Sequence, residues 1–288
     1  MNTISFMSAN FVARELNYRM TEGWGQGQDA TEKYFRPVET YAERFDAMLG
    51  EIAALGFSAI DLWTAHLNPA WATPRHIDAA RSLLAKHRLS VSSFAWYIED
   101  IIKLDTFAEI ATALDCRLIG GGGAPALLRE KRSDFVKALE RNDLKLGYEN
   151  HPEKNAQQVL EKIGDSANGR IGVAIDTGWF GSQGYDAAKA IRELSDRLFH
   201  VHLKDIHEPF KGGSGKDIRE GGVVTLKDMG HETCALGDGV VPVRECVAAL
   251  KEIGYKGGIS IEHEPEDCNP VKAVRLSYQR LREWMQQT

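Results

Sequence analysis

Four short stretches of this chain set carboxylates and imidazoles directly behind β-branched and aliphatic residues, as strands do where they run into a reactive loop. They are Gly147-Tyr148-Glu149-Asn150-His151, Ala174-Ile175-Asp176-Thr177-Gly178-Trp179, His200-Val201-His202-Leu203-Lys204-Asp205 and Ile259-Ser260-Ile261-Glu262-His263-Glu264. Successive side chains of a strand point to opposite faces. His200, His202 and Lys204 therefore share one face, as do Ser260 and Glu262, while Val201, Leu203, Ile259 and Ile261 pack behind. Unpaired charges on an enclosed face are costly, so Glu149, Asp176, His202 and Glu262 brought to one place call for a cation. Three carboxylates and one imidazole suit one hard or borderline divalent ion, Mn²⁺ first, with Co²⁺, Mg²⁺, Fe²⁺ and Zn²⁺ as alternatives. An ion beside a carbonyl and its neighbouring hydroxyl stabilises an enediolate, and a carboxylate or imidazole against the adjacent C–H serves as base. Such a site can isomerise, epimerise or expel a group β to the carbonyl.

Strand ends meet only if a scaffold gathers them. Eight β-rich runs recur along the chain: Ile4–Ser8, Ala59–Trp63, Val91–Phe94, Arg117–Gly120, Lys145–Glu149, Gly172–Asp176, Leu198–Lys204 and Gly258–Glu262. Helical patterns alternate with them. Dividing 288 residues by eight gives about 36 per unit, enough for a strand, a helix and two loops. The fold class expected is α/β, one (β/α)8 TIM barrel over residues 1–288. Tyr41, Phe45, Leu49 and Ile52 form one apolar stripe stopped by Gly56, and Thr73-Pro74 reads as an N-cap with a first-turn proline. Val243, Val247, Leu250 and Ile253 make a second stripe, and Val274, Tyr278, Leu281 and Met285 a third. Further helices are expected near 106–114, 135–139, 159–163 and 187–194. Two connections on the strand-to-helix side, about 9–37 and 205–242, are long enough to be lids or binding loops. The first carries Tyr18, Trp24, Tyr34 and Phe35, and the second Gly212-Gly213-Ser214-Gly215.

Composition narrows the class of partner. With 43% hydrophobic and 26% charged residues and a net charge of −6, the chain has material for a core and no basic surface for nucleic acid or an anionic membrane. No apolar run approaches the roughly 20 residues of a membrane span, and the first ten residues lack a signal-peptide pattern. Cys116, Cys234, Cys246 and Cys268 are scattered without a C-x-x-C spacing, as in a reduced cytoplasmic protein. Gly120 to Gly123 matches no phosphate-loop fingerprint, so these glycines are read as making room in a loop.

The chain resembles the xylose isomerase-like TIM-barrel superfamily, the sugar phosphate isomerase/epimerase group that includes ketose 3-epimerases, inosose dehydratase and endonuclease IV. The resemblance spans the chain and is densest from Leu236-Gly237-Asp238-Gly239 through Ile253-Gly254-Tyr255-Lys256-Gly257 to Glu262-His263-Glu264; His-Val-His-Leu-Lys-Asp at 200–205 and Glu-Asn-His at 149–151 also match. It implies one divalent metal on Glu149, Asp176, His202 and Glu262, with Glu149 and Glu262 moving protons in the epimerases. Trp179 stands where many sugar isomerases of the group carry the histidine of Asp-Thr-Gly-His. That change, with Glu-Asn-His and the long first loop, resembles the catalytic subunit of C-glycoside deglycosidases. The resemblance then implies a lyase in which a base removes the proton beside the keto group of a 3-oxo-C-glycoside and the aglycone leaves. A smaller partner subunit in a hetero-oligomer, or a homo-oligomer, goes with that reading. The alternative is a sugar or sugar-phosphate isomerase or epimerase. In either, His151 or a glutamate takes the proton, Lys204 steadies an oxyanion, and His66, Trp179, Trp96 and Trp24 are candidate sugar contacts. A nuclease like endonuclease IV would want a basic face and a His-rich zinc cluster, and a non-catalytic sugar-binding barrel would be expected to lose ligands.

Overall fold

All eight runs form strands: β1 (Thr3–Met7), β2 (Ala59–Trp63), β3 (Ser90–Ala95), β4 (Leu118–Gly121), β5 (Lys145–Glu149), β6 (Ile171–Asp176), β7 (Leu198–Leu203) and β8 (Gly258–Ile261). The computed structural model describes residues 2–122, 125–151, 153–208, 226–227 and 229–287. Consecutive strands pair in parallel and β8 returns to β1, so the sheet closes into a barrel. Parallel neighbours require crossovers, and helices supply them. They include α1 (Trp24–Phe35), α2 (Val38–Ala54), α3 (Pro74–His87) and α4 (Ile102–Ala113) in the first half of the chain. The second half adds α5 (Pro125–Arg129), α6 (Arg132–Arg141), α7 (Ala156–Ile163), α8 (Thr177–Ser182), α9 (Ala187–Glu193), α10 (Val243–Glu252) and α11 (Val271–Gln286).

Local sequence explains the ends. Thr73 caps α3 in a capping box in which His76 takes the place of the usual glutamate, and Pro74 fills the first turn, where its missing N–H costs nothing. Between strands and helices one apolar core joins Ile60, Leu62, Val201, Leu203, Ile259 and Ile261 to helical residues such as Phe45, Ile52, Phe107 and Leu250. The opposite strand faces fill the barrel with small and polar residues, among them Ser5, Asp61, Ser93, His200, His202 and Ser260, all fully buried.

The stretch 9–37 is not a long loop. It holds two 3-10 turns, Ser8–Phe11 and Arg14–Leu16, and then the twelve residues of α1. Gly27 makes this packing feasible, since a Cβ there would fall 2.5 Å from the Val12 carbonyl oxygen. In the stretch 205–242, Asp205–Ile206 and Thr233–Cys234 pair as a short antiparallel ribbon. The expectation on Gly212-Gly213-Ser214-Gly215 lies outside the described residues, as does Gly123. Gly121 does make room: a Cβ there would lie 2.4 Å from the Trp96 carbonyl oxygen. Cys116, Cys234 and Cys246 are buried free thiols and Cys268 an exposed one. Among the described residues, no helix is long and apolar enough to cross a membrane.

Candidate metal and acid–base site

Register gathers the four candidate ligands. His202 on β7 is level with Asp176 on β6 and with Ser260 on β8. Glu149 on β5 is level with Ala174, two residues before Asp176, and Glu262 lies two residues past Ser260. A stagger of two keeps every one of these side chains on the inner face. One ligand atom from each of Glu149, Asp176, His202 and Glu262 falls within 4.8 Å of the others. The cluster sits at the C-terminal ends of four consecutive strands, the end at which TIM barrels place their chemistry.

Each ligand is held by its neighbours. Asp176 caps α8, accepting the Trp179 backbone N–H at 3.0 Å on Oδ1, and its own backbone N–H donates to Asn150 at 2.9 Å. His202 presents Nδ1 to Glu149 Oε1 in a short contact and to Glu262 Oε2 at 3.2 Å. Asp176 Oδ2 and Glu262 Oε2 are buried and accept no aligned hydrogen bond among the described residues, although Lys204 Nζ is 2.9 Å from the former. Lone pairs left free on two buried carboxylates, beside an imidazole nitrogen, fit a hard divalent ion.

Electrostatics follow from this crowding. Burial opposes ionisation of Glu149, but His202 and then His151 outweigh it and hold the carboxyl below the usual carboxylate range. Glu262 goes the other way: burial raises it well above that range against the pull of Lys204, with Glu264 and Asp176 adding to the rise. Burial favours neutral His202 and Lys204, yet the carboxylates around them prevail and raise both.

The structure brings three further expected residues to the cluster. His151 Nε2 lies 3.7 Å from Glu149 Oε2, and its side chain is 40% exposed against 12% for that of Glu149. Its ring packs on Trp179 at 4.9 Å between centroids. Lys204 Nζ contacts Glu262 Oε1 at 2.6 Å and Glu264 Oε2 at 3.3 Å. The other three expected sugar contacts have the following neighbours. Trp96 stacks on Phe107 of α4, Trp24 packs edge-on against Trp63, and His66 is buried between Phe35 and Trp63 with Nδ1 on the Ser8 hydroxyl. Burial holds His66 neutral, its pKa lowered to about 3, with the charge of Arg14 adding to the effect. Sequence reading missed Asp61, whose carboxylate reaches both His200 and His202. The signal was there: an aspartate amid Ala59-Ile60-Asp61-Leu62-Trp63 is out of place in an apolar strand.

A closed parallel barrel that collects carboxylates and an imidazole at its strand ends is a TIM barrel with an enzyme-like site. More narrowly, the chain belongs to the xylose isomerase-like TIM barrel family, whose profile matches residues 49–286. An inosose dehydratase of Klebsiella pneumoniae is 29% identical over 130 residues, 43% of this chain and 42% of that protein, so the match spans under half the length of that relative. Among solved structures, a xylose isomerase-like TIM barrel protein from Mycobacterium smegmatis in complex with magnesium superposes with a TM-score of 0.67 at 18% identity, over 99% of this chain and 98% of its own. The probable 3-DHS dehydratase of petrobactin synthesis from Bacillus anthracis gives 0.66 at 15% identity, over 98% and 99%. These two likenesses establish the fold.

Proposed function

We propose that the protein is a divalent-metal-dependent enzyme of keto-sugar or keto-polyol chemistry, working as a lyase that removes the proton beside a ketone and expels the group β to it. Glu149, Asp176, His202 and Glu262 would hold the ion, which when bound supplies charge stabilisation for the enediolate oxygens. The observation that carries the lyase reading is the placement of two candidate proton carriers, His151 beside the cluster and Glu262 within it. His151, its side chain 40% exposed at the rim, can meet an incoming C–H, whereas Glu262 is tied to the Lys204 ammonium at 2.6 Å. Epimerisation needs a second proton carrier on the opposite face of the enediolate, and a carboxylate engaged by an ammonium serves poorly there. His151 takes the proton, and the imidazolium so formed can return it to a leaving hydroxyl as water departs. Lys204, kept protonated by its carboxylates, stays a cation beside the developing oxyanion. Trp179 backs the His151 ring and fixes its approach.

The similarity to inosose dehydratase favours a hydroxyl as leaving group on a cyclic keto-polyol. Trp179, standing where many sugar isomerases of the group carry a histidine and lying buried behind His151, keeps a 3-oxo-C-glycoside as the second reading. Mass spectrometry separates these. The Mn²⁺-loaded chain is offered an inosose, a 3-oxo-C-glucoside and a panel of free ketoses in deuterated water. Loss of water from the inosose, or release of the aglycone, establishes a lyase when chelator and His151→Ala both abolish it. Deuterium entering a ketose with a new isomer and no elimination would overturn the lyase reading in favour of an isomerase or epimerase. If the aglycone is released only after a smaller subunit is added, the chain works in a hetero-oligomer.

A further inference from the structure

Below the candidate ligands, toward the middle of the barrel, sits a carboxylate that the chemistry above leaves without a task. Asp61 of β2 is fully buried. Its Oδ2 accepts from His202 Nε2 at 3.1 Å, from His200 Nε2 at 2.8 Å and from the Ser260 hydroxyl at 2.8 Å. Its Oδ1 has no hydrogen-bond partner among the described residues. Around it the barrel is arranged to leave space and supply donors. A Cβ on Gly120 would come within 3.2 Å of the His200 ring. Ser5 and Ser260 share a hydrogen bond at 2.7 Å, and Ser93 meets His200 Nε2 at 2.9 Å. The His200 ring stands nearly perpendicular to that of His202, 84° at 5.1 Å between centroids.

Packing alone does not account for this choice. Barrel interiors are ordinarily filled by branched apolar residues, and a buried carboxylate with an unpaired oxygen is costly wherever an apolar residue would fit. What Asp61 gains for that cost is a hold on one nitrogen of His202. With Nε2–H committed to Asp61, the other ring nitrogen, Nδ1, is the one that faces Glu149 and Glu262. A carboxylate behind a ligating imidazole selects the tautomer, fixes the ring plane and strengthens the nitrogen as a ligand.

We propose that Asp61 is the positioning residue of the cation site, aiming Nδ1 of His202 into the cluster from beneath while His200 and Ser260 lock its own carboxylate. The inference rests on reading Glu149, Asp176, His202 and Glu262 as metal ligands, and its test separates the two. Wild type, Asp61→Asn and Ser93→Ala are titrated with Mn²⁺ and Co²⁺ by calorimetry, and the visible absorption of the Co²⁺ forms is recorded. Asparagine keeps the shape and loses the charge. Asp61→Asn is expected to bind about 10- to 100-fold more weakly than wild type, with shifted Co²⁺ bands. Ser93→Ala, which touches His200 but not His202, should stay within about twofold, since only loss of the carboxylate behind the ligand weakens binding. An Asp61→Asn chain with unchanged affinity and unchanged bands, however much less stable it is, would overturn the role. Should Asp61→Asn not fold, ¹⁵N-histidine spectra of Zn²⁺-loaded wild type decide: Nε2 protonated and Nδ1 cation-bound is expected, and the reverse overturns it. Wild type that binds neither Mn²⁺ nor Co²⁺ would bring down the metal reading itself, and this role with it.

Discussion

Lys204 Nζ lies 2.6 Å from Glu262 Oε1 and 2.9 Å from Asp176 Oδ2, so an ammonium stands among the carboxylates proposed to hold the metal. A lysine and a divalent ion would therefore neutralise the same acidic cluster from two sides. Lys204→Met leaves Asp176, Glu262 and Glu264 to repel one another, and breaking a buried pair costs about 3–5 kcal/mol. The variant should melt well below wild type in EDTA, and Mn²⁺ should raise its melting temperature by more than it raises that of wild type. Thermal melts of both chains with and without Mn²⁺ measure this, and equal metal-induced shifts would refute it.

His151 is placed at the rim and is not one of the four clustered ligands. Its role as base predicts that His151→Gln lowers kcat by about 10²- to 10⁴-fold while bound metal per chain stays at the wild-type level. Turnover measured beside elemental analysis of the same preparations checks both halves. A parallel loss of metal would instead make His151 a ligand.

The barrel and its four candidate ligands were legible for one physical reason. Strand alternation and strand order are local properties, and parallel closure turns neighbouring strand ends into spatial neighbours. Glu149, Asp176, His202 and Glu262 each sit at or next to the end of a readable strand. What stayed hidden depends on which way a residue turns beyond that end. Trp96 follows β3 directly, yet it turns outward onto Phe107 because α4 offers an apolar face there. His66 likewise turns under Phe35. Helix α1 was hidden because Gly25, Gln26 and Gly27 carry no apolar stripe; its stability comes from packing on the turn at Val12, which a sequence window does not see. Asp61 was legible as a charge out of place in an apolar strand, but its partners, His200 and His202 of β7, are brought to it only by closure of the barrel.

Asp205 closes the polar run of β7 but has a structural task. Its two carboxylate oxygens accept four backbone N–H groups, from Ile206 at 2.9 Å, Gly237 at 2.8 Å, Gly239 at 3.0 Å and Val241 at 3.0 Å. This fastens the Leu236-Gly237-Asp238-Gly239 turn to the end of β7. Bonds to a charged acceptor contribute about 1.5–3 kcal/mol each, and the segment can recover some through water, so Asp205→Ala should cost about 3–5 kcal/mol. Urea unfolding gives the figure. A loss under about 1 kcal/mol would mean that the turn holds itself.

His66 gives the folded state a pH dependence of definite sign. Its pKa is lowered to about 3 by burial, with the Arg14 charge adding to the effect, from an ordinary value of about 6.5 in the unfolded chain. The unfolded state therefore binds a proton that the folded state refuses. The resulting stability is fully present above about 6.5 and is lost as pH falls toward 3, at up to about 1.4 kcal/mol per pH unit. Unfolding free energies of wild type and His66→Gln, taken between about pH 7 and 4.5, should converge as acid is added. A gap that stays constant with pH would show that His66 does not titrate between the two states.

Metal uptake should expel protons, and the reason lies in the ligands themselves. In the metal-free cluster burial favours a neutral His202, but Glu149 and Glu262 prevail and hold it protonated above its ordinary range. Burial lifts Glu262 against Lys204, with Glu264 and Asp176 contributing to the rise. An ion needs the Nδ1 lone pair and an ionised carboxylate, so it competes with the protons these groups retain. Both shifts are upward, and the sign follows: affinity for Mn²⁺ should fall as pH drops below neutral and rise as pH increases, by up to about tenfold per pH unit for each proton released. Calorimetric titrations in two buffers of unlike ionisation enthalpy count those protons directly. Heats that agree in both buffers, with an affinity flat from roughly pH 6 to 8, would mean that the ligands are already deprotonated and that Lys204 alone balances the cluster before the ion arrives.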